Sequence, residues 1–470
     1  AKELSQGLDN GDGNGTAADG QLHVDEIDSV GLICPVVSMI KDIYSGSSSS
    51  SLSELTAFGN TLYFTADDGT NGEELWKSDG TATGTVMVKD IYSGSGDSDP
   101  YEFTAFGNTL YFTADDGTNG RELWKSDGTT SGTVMVKNIN NGWSDSYPTY
   151  LTAVGNTLYF MATDGTNGNE FWKSDGTTSG TMMVKDINSG SGSGNPSDFT
   201  AVGNTLYFRA NDGTNAEELW KSDGTASGTV MVKDINSGSG YSMPQGFTAI
   251  GNTLYFRAND GTNGYEFWKS DGTASGTVMV KDIYSGGGSG LPVDLTAVGN
   301  TLFFRADDGT NGQELWKSDG TASGTVMVKN INNGWSDSSP AYLTAIGNTL
   351  YFQADDGTNG KELWKSDGTA SGTVMVKDIY SGTGGSDLYG FTAIGNTFYF
   401  AADDGTNGKE LWKSDGTASG TVMVKDITSG SLSSFSVYPW DLSLTVIGNT
   451  LYFQGNDGNN GYELWKYDLN

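Results

Sequence analysis

Tryptophan sets the period of this chain. Trp76, Trp124, Trp172, Trp220, Trp268, Trp316, Trp364 and Trp412 lie 48 residues apart, and Trp465 follows after 53. Each sits in Glu-(Leu/Phe)-Trp-Lys, and the first eight continue as Ser-Asp-Gly-Thr. A fixed period of this size marks a repeat architecture, in which no unit can bury its apolar face alone and stacked neighbours bury it together. The pattern runs from about residue 36 to the end, so the chain divides into an N-terminal segment, 1–35, and a repetitive body, 36–470.

Inside one repeat, short alternating apolar runs are broken by Gly, Asn and Asp, the mark of strands and tight turns. The spacing predicts strand A at Glu102–Phe106, B at Thr109–Ala114, C at Arg121–Ser126 and D at Thr133–Ile139. Gly107-Asn108, the Asp115–Gly120 loop and Asp127-Gly128-Thr129 separate them with residues that tolerate positive φ. No segment sustains a 3.6-residue period, so the chain is expected to be all-β. Four strands in each repeat of 48 residues is the signature of β-propeller blades, whereas a parallel solenoid would use shorter rungs without hairpin turns.

The chain ends specify how the ring closes. Nine A–B–C units and nine D strands are present, but one D-like strand, Val37–Ile43, precedes the first A strand. A nine-bladed propeller is therefore expected, its last blade completed by the N-terminal strand, which removes two open sheet edges. If that strand instead completes a neighbouring molecule's blade, the product is a homo-oligomer or filament.

Composition excludes several function classes. With 58 acidic against 25 basic residues and a net charge of −33, the chain repels phosphate, so no nucleic-acid partner is expected. No apolar run approaches the roughly 20 residues of a transmembrane helix. An aromatic content of 11% argues against simple acidic disorder. Cys34 and His23 are the only residues of their kinds and both precede the repeats, which leaves the body without a cysteine-rich metal site or histidine-based catalysis. No catalytic residue is assigned and the chain is not expected to be an enzyme.

The string Glu314-Leu315-Trp316-Lys317-Ser318-Asp319-Gly320-Thr321-Ala322-Ser323-Gly324-Thr325 resembles the bacterial family named for its ELWxxDGT repeats. The resemblance covers nearly everything after residue 36. It implies a propeller-like protein that is secreted or exposed at the cell surface, and it brings no catalytic residues with it.

Several constellations remain as candidate sites. The nine Glu-(Leu/Phe)-Trp pairs read as blade-interface architecture, with the glutamate accepting hydrogen bonds. The B–C loop aspartates, such as Asp68 and Asp116, read either as turn formers or as a ring of Ca²⁺ ligands. The stretch from Asn10 to Gly15 begins like an EF-hand loop, and Asn10, Asp12, Asn14, Asp19 and Glu26 are its candidate Ca²⁺ ligands, with a flexible acidic linker as the alternative. Two D–A connections carry a tryptophan, Trp143 and Trp335, and the longest carries Phe435, Tyr438 and Trp440. Trp143, Trp335, Trp440 and Tyr438 are the candidate ligand-binding residues, able to stack on a sugar ring or to cover the adjacent blade. Arg209, Arg257 and Arg305 share one strand B position in successive repeats, where they could grip a carboxylate or sulfate or pair with nearby acids.

The expected function is a non-enzymatic extracellular scaffold for surface structure or adhesion, able to self-assemble through residues 1–35. A Ca²⁺-assisted carbohydrate-binding propeller is the alternative, and a polysaccharide-active glycosidase or lyase a remote one.

Overall fold

A computed structural model describes residues 35–436 and 444–469. Among them are nine four-stranded antiparallel sheets, each a blade of a β-propeller. In the second blade, strand A is Tyr101–Phe106, B Thr109–Asp115, C Arg121–Ser126 and D Val134–Lys137. Strand A of each blade neighbours strand A of the next, and the ninth neighbours the first, so the A strands line the axis and the D strands form the rim.

The closing strand behaves as the chain ends predict. Val37–Lys41 pairs antiparallel with the last strand, Tyr462–Asp468, bringing Val37 opposite Tyr467, Ser38 opposite Lys466 and Met39 opposite Trp465. The first and ninth blades are then stitched at several depths. Thr445 Oγ1 donates to Leu55 O at 2.8 Å, Lys41 Nζ donates to Thr85 O at 2.8 Å, and Gln454 Nε2 donates to Leu52 O at 3.3 Å. Val37, Ile40 and Ile43 are buried by this closure.

The repeated motif is explained by what its residues touch between blades. Nine apolar clusters fill the nine seams, one of which joins Tyr63, Leu75, Val88 and Ile91 of the first blade to Leu110, Phe112, Ala114 and Trp124 of the second. The tryptophan is 5% exposed, and the ammonium of Lys89 from the preceding blade lies 5.5 Å from its ring centre. In eight of the nine blades the indole N–H makes no hydrogen bond to protein. Lys77 donates across the seam to Gly128 O at 2.9 Å, and Lys89 to Thr133 O at 2.8 Å. Within the C–D turn, Ser126 and Thr133 share a 2.7 Å hydrogen bond, and Asp127 accepts from the N–H and hydroxyl of Thr129. Gly128 has φ of +85°, and a Cβ there would stand 2.3 Å from Tyr63 Oη of the preceding blade. Glycine is required at that turn on both counts. The string Trp-Lys-Ser-Asp-Gly-Thr is thus a seam, a clasp and a turn in sequence.

Glutamate fixes the other end of each blade. Glu122 is fully buried and accepts from Ile139 N at 2.8 Å, Asn140 N at 3.3 Å and Ser146 Oγ at 2.6 Å. This clamp ends strand D and turns the chain into the D–A connection, and it recurs at Glu74, Glu170, Glu218, Glu266, Glu314, Glu362, Glu410 and Glu463. Burial raises all nine carboxyls above the ordinary value of 4.5, hydrogen bonds draw them part of the way back, and they come to rest at about 7.

Candidate functional site

The B–C and D–A connections share one face of the ring. Ser98 of the D–A connection donates through its N–H to Glu73 O at 3.0 Å and accepts from Asp115 N at 3.0 Å, which ties the connection to both strands beneath it. The B–C loop aspartates are occupied locally. Asp116 Oδ1 accepts from Thr118 N and Asn119 N, and its Oδ2 accepts from the Asn119 side chain at 2.8 Å. Burial alone would raise such a carboxyl, but in the equivalent loop the bonds to Asp68 from Asn71 and Thr70 prevail and lower it. These aspartates are used as turn formers.

Trp143 and Trp335 stand at the tips of two D–A connections on this face, each 81% exposed. Both loops are pinned on each side of the ring. Asn140 Nδ2 donates to Asp145 O at 2.9 Å, and Asp145 Oδ1 accepts from Arg121 N at 2.7 Å. Asn332 and Asp337 repeat the arrangement at 3.1 and 2.7 Å, the latter with Gln313 N. A rigid base under an exposed indole makes a platform able to stack on a flat apolar surface, and it does not cover the adjacent blade. The two platforms are four blades apart one way and five the other, nearly opposite across the ring. Phe435 of the longest connection is instead buried, 5.6 Å from Phe453. Tyr438 and Trp440 lie outside the described residues, as do Asn10, Asp12, Asn14, Asp19 and Glu26 of the proposed Ca²⁺ segment.

One feature of the axis is not evident from strand alternation. Strand A carries a bulge, and the residue after its first position adopts a left-handed conformation: Glu54, Glu102, Tyr150, Asp198, Asp294 and Tyr342 have φ between 56° and 61°. Glycine fills the same place at Gly246 and Gly390. A non-glycine residue held there is uncommon and marks a position that the surroundings fix.

This position belongs to a group that differs from blade to blade while the frame does not. The left-handed position reads Glu, Glu, Tyr, Asp, Gly, Asp, Tyr and Gly through the first eight blades. The strand B position that pairs near it reads Thr65, Thr113, Met161, Arg209, Arg257, Arg305, Gln353, Ala401 and Gln454. The first residue of strand C reads Glu73, Arg121, Asn169, Glu217, Tyr265, Gln313, Lys361, Lys409 and Tyr462. By contrast, the clamp glutamate, the tryptophan and the lysine after it are the same in all nine. Around the inner margin of the loop-bearing face these side chains pair with one another, as Arg209 does with Asp198 and Glu217, or with residues at the end of the D–A connection and the start of strand A. Arg121 pairs with Asp99 at 2.9 Å and lies 4.9 Å from the Tyr101 ring centre. Lys409 pairs with Asp387 at 3.8 Å and lies 5.0 Å from that of Tyr389. Two cavities open here, of about 300 and 220 Å³, the first bordered by Tyr150, Asp198, Phe199, Gly246 and Phe247 and the second by Tyr342, Gln353, Lys361, Asp387 and Lys409. Reading the repeats for where they disagree would have found this mouth from sequence. Reading them for what they share conceals it.

No family model matches this chain, and no curated protein matches it. Among solved structures, the computationally designed Ika8 protein is 18% identical with a TM-score of 0.44, covering 80% of this chain and 99% of that one. Puromycin hydrolase is 12% identical with a TM-score of 0.40, and the match covers 76% of this chain and 58% of the hydrolase. The GH74 enzyme of Niastella koreensis is 14% identical with a TM-score of 0.36, covering 89% and 70%. At these scores the likenesses carry no argument about activity.

Proposed function

We propose that this chain is a non-enzymatic extracellular interaction scaffold of the ELWxxDGT-repeat type, a rigid ring that presents one face to a partner at a cell surface. The observation that carries this reading is the gathering of blade-to-blade differences at one mouth of an otherwise uniform ring. A recognition surface needs chemical asymmetry, and a frame that holds it still needs uniform seams. Adhesion or surface assembly follows from such a ring without any chemical step.

Carbohydrate is the partner class favoured by the two tryptophan platforms. An exposed, pinned indole loses little conformational freedom on stacking, which suits it to a sugar face. The test is a glycan array run in millimolar Ca²⁺ and again in chelator, with the intact chain and the Trp143→Ala/Trp335→Ala double variant. The variant is expected to lose at least about tenfold in binding, the scale of one or two hot-spot aromatics, with an unchanged melting midpoint. A blank array for the intact chain overturns the carbohydrate reading and leaves the scaffold. Release of reducing ends from any bound polysaccharide overturns the non-enzymatic one.

A further inference from the structure

This acidic chain has only four arginines, and three of them are adjacent. Arg209, Arg257 and Arg305 occupy one strand B position in the fourth, fifth and sixth blades. Where other blades carry a polar residue there, it can stitch the seam: Thr65 Oγ1 donates to Pro100 O at 2.5 Å, Gln353 accepts from Leu388 N at 2.7 Å, and Gln454 donates to Leu52 O at 3.3 Å.

The three arginines are compensated unequally. Arg209 donates to Ser197 Oγ at 2.7 Å and pairs with Asp198 at 3.0 Å and Glu217 at 3.5 Å. Arg257 donates to Gln245 Oε1 and lies 5.8 Å from the Tyr265 ring centre, while its Nε is buried with no hydrogen-bond partner. Burial lowers the affinity of Arg257 for its proton, and the charges of Arg209 and Arg305 act the same way, with Tyr265 and Asp294 opposing them. Arg305 is half-buried, and among the described residues its side chain makes no hydrogen bond or ion pair. The buried, unpartnered Nε of Arg257 is the costly donor, and an oxyanion held between it and the neighbouring Arg305 is the group that would satisfy it. Gly246, next in sequence to Gln245, stands where the others of the first eight blades carry Glu, Tyr or Asp, except for Gly390 in the eighth, and it borders the 300 Å³ cavity together with Asp198, Tyr150 and Phe247.

We propose that Arg257 and Arg305 form a binding site for a carboxylate or sulfate group of an acidic saccharide entering at the channel mouth, with the ion-paired Arg209 as its fixed border. The site is separate from the tryptophan platforms and stands or falls independently of them.

The probes are sodium galacturonate, sodium sulfate and neutral galactose, titrated calorimetrically into the full chain at constant ionic strength. At least one of the two anions is expected to bind more tightly than galactose, and that preference is expected to persist in the Trp143→Ala/Trp335→Ala double variant. Which anion binds identifies the acidic group. Arg257→Gln and Arg305→Gln are each expected to weaken binding about tenfold or more, the loss typical of a charge-assisted hydrogen bond. Arg305→Lys keeps the charge without the fork and is expected to fall between. Arg121→Gln, which removes an arginine already paired with Asp99, is expected to change anion binding less than twofold. The proposal is overturned if neither anion binds, or if Arg121→Gln weakens binding as much as Arg305→Gln. It is equally overturned if Arg305→Gln and Arg305→Lys both fail to fold, since the arginine would then be part of the frame.

Discussion

Truncation before Tyr44 is expected to convert a closed ring into self-associating particles with a markedly lower unfolding midpoint. The lost strand buries Val37, Ile40 and Ile43. At roughly 1.5–3 kcal/mol for each buried side chain, its apolar contacts contribute about 5–9 kcal/mol, an upper bound because unfolded chains already bury some surface. Two further costs arise. The buried Glu463 carboxylate loses its donor Ile43 N, and the Tyr44 N–H that also donates to it becomes a charged chain terminus. The last strand, Tyr462–Asp468, becomes an open edge ready to pair with another chain. A second truncation, before Pro35, retains the closing strand, so the difference between the two isolates it. Light scattering and urea unfolding read the result. A monomer with an unchanged midpoint after the longer truncation would mean that the strand is dispensable.

The second large effect concerns the glutamate clamps. Glu122→Ala removes one acceptor group that serves Ile139 N, Asn140 N and Ser146 Oγ in a site closed to solvent. Unmet buried donors cost about 1–3 kcal/mol each, so a loss of about 3–5 kcal/mol is expected in denaturant unfolding, far above the change for an ordinary surface substitution. The clamps also set the pH dependence. Each folded carboxyl titrates at about 7 against an ordinary value of 4.5. Folding therefore takes up protons between these values. The resulting stability is fully present below about 4.5 and is lost as pH rises through about 7. The turn aspartates act with the opposite sign. Hydrogen bonds, first that from the Thr129 hydroxyl, hold Asp127 below 3.8, so its contribution is present above 3.8 and fades in stronger acid. Stability should accordingly peak near pH 5 and fall towards pH 8, with an uptake of at most nine protons from the clamps. Melting midpoints across this range measure it. A midpoint higher at pH 8 than at pH 5 would show that the clamps titrate as ordinary exposed carboxylates.

How much of this was legible in the sequence differs by element. The period, the four strands and the closing role of the strand expected at Val37–Ile43 follow from the tryptophan spacing and the displaced D strand, and the structure bears them out with that strand spanning Val37–Lys41. Strand D was expected over Thr133–Ile139 but spans Val134–Lys137, because Ile139 N leaves the ladder for the carboxylate of Glu122. Strand A starts one residue early, at Tyr101, because a bulge lets Tyr101 pair with Thr113 before Glu102 turns left-handed. Alternation cannot reveal a bulge whose occupants are Glu, Tyr and Asp, and the only local hints were the glycines at Gly246 and Gly390. Similarly, pairing with acids was legible for Arg209 but not the contrast with Arg257 and Arg305, since that depends on which side chains each seam brings within reach. That Trp143 and Trp335 stand exposed, and do not cover the adjacent blade, could not be read from sequence, because it depends on the Asn140–Asp145 and Asn332–Asp337 pins that hold the loops open.

The central claim is that one chain closes its own ring with its first strand and its last, and so holds a single asymmetric mouth rigid. Ser38 and Lys466 face each other across that closure. The direct measurement is oxidation of the Ser38→Cys/Lys466→Cys variant in a Cys34→Ser background, read by non-reducing electrophoresis and intact mass. An internally cross-linked monomer is the predicted product. Covalent dimers and longer ladders in its place would mean that the strand completes a neighbour's blade, contradicting the closed ring.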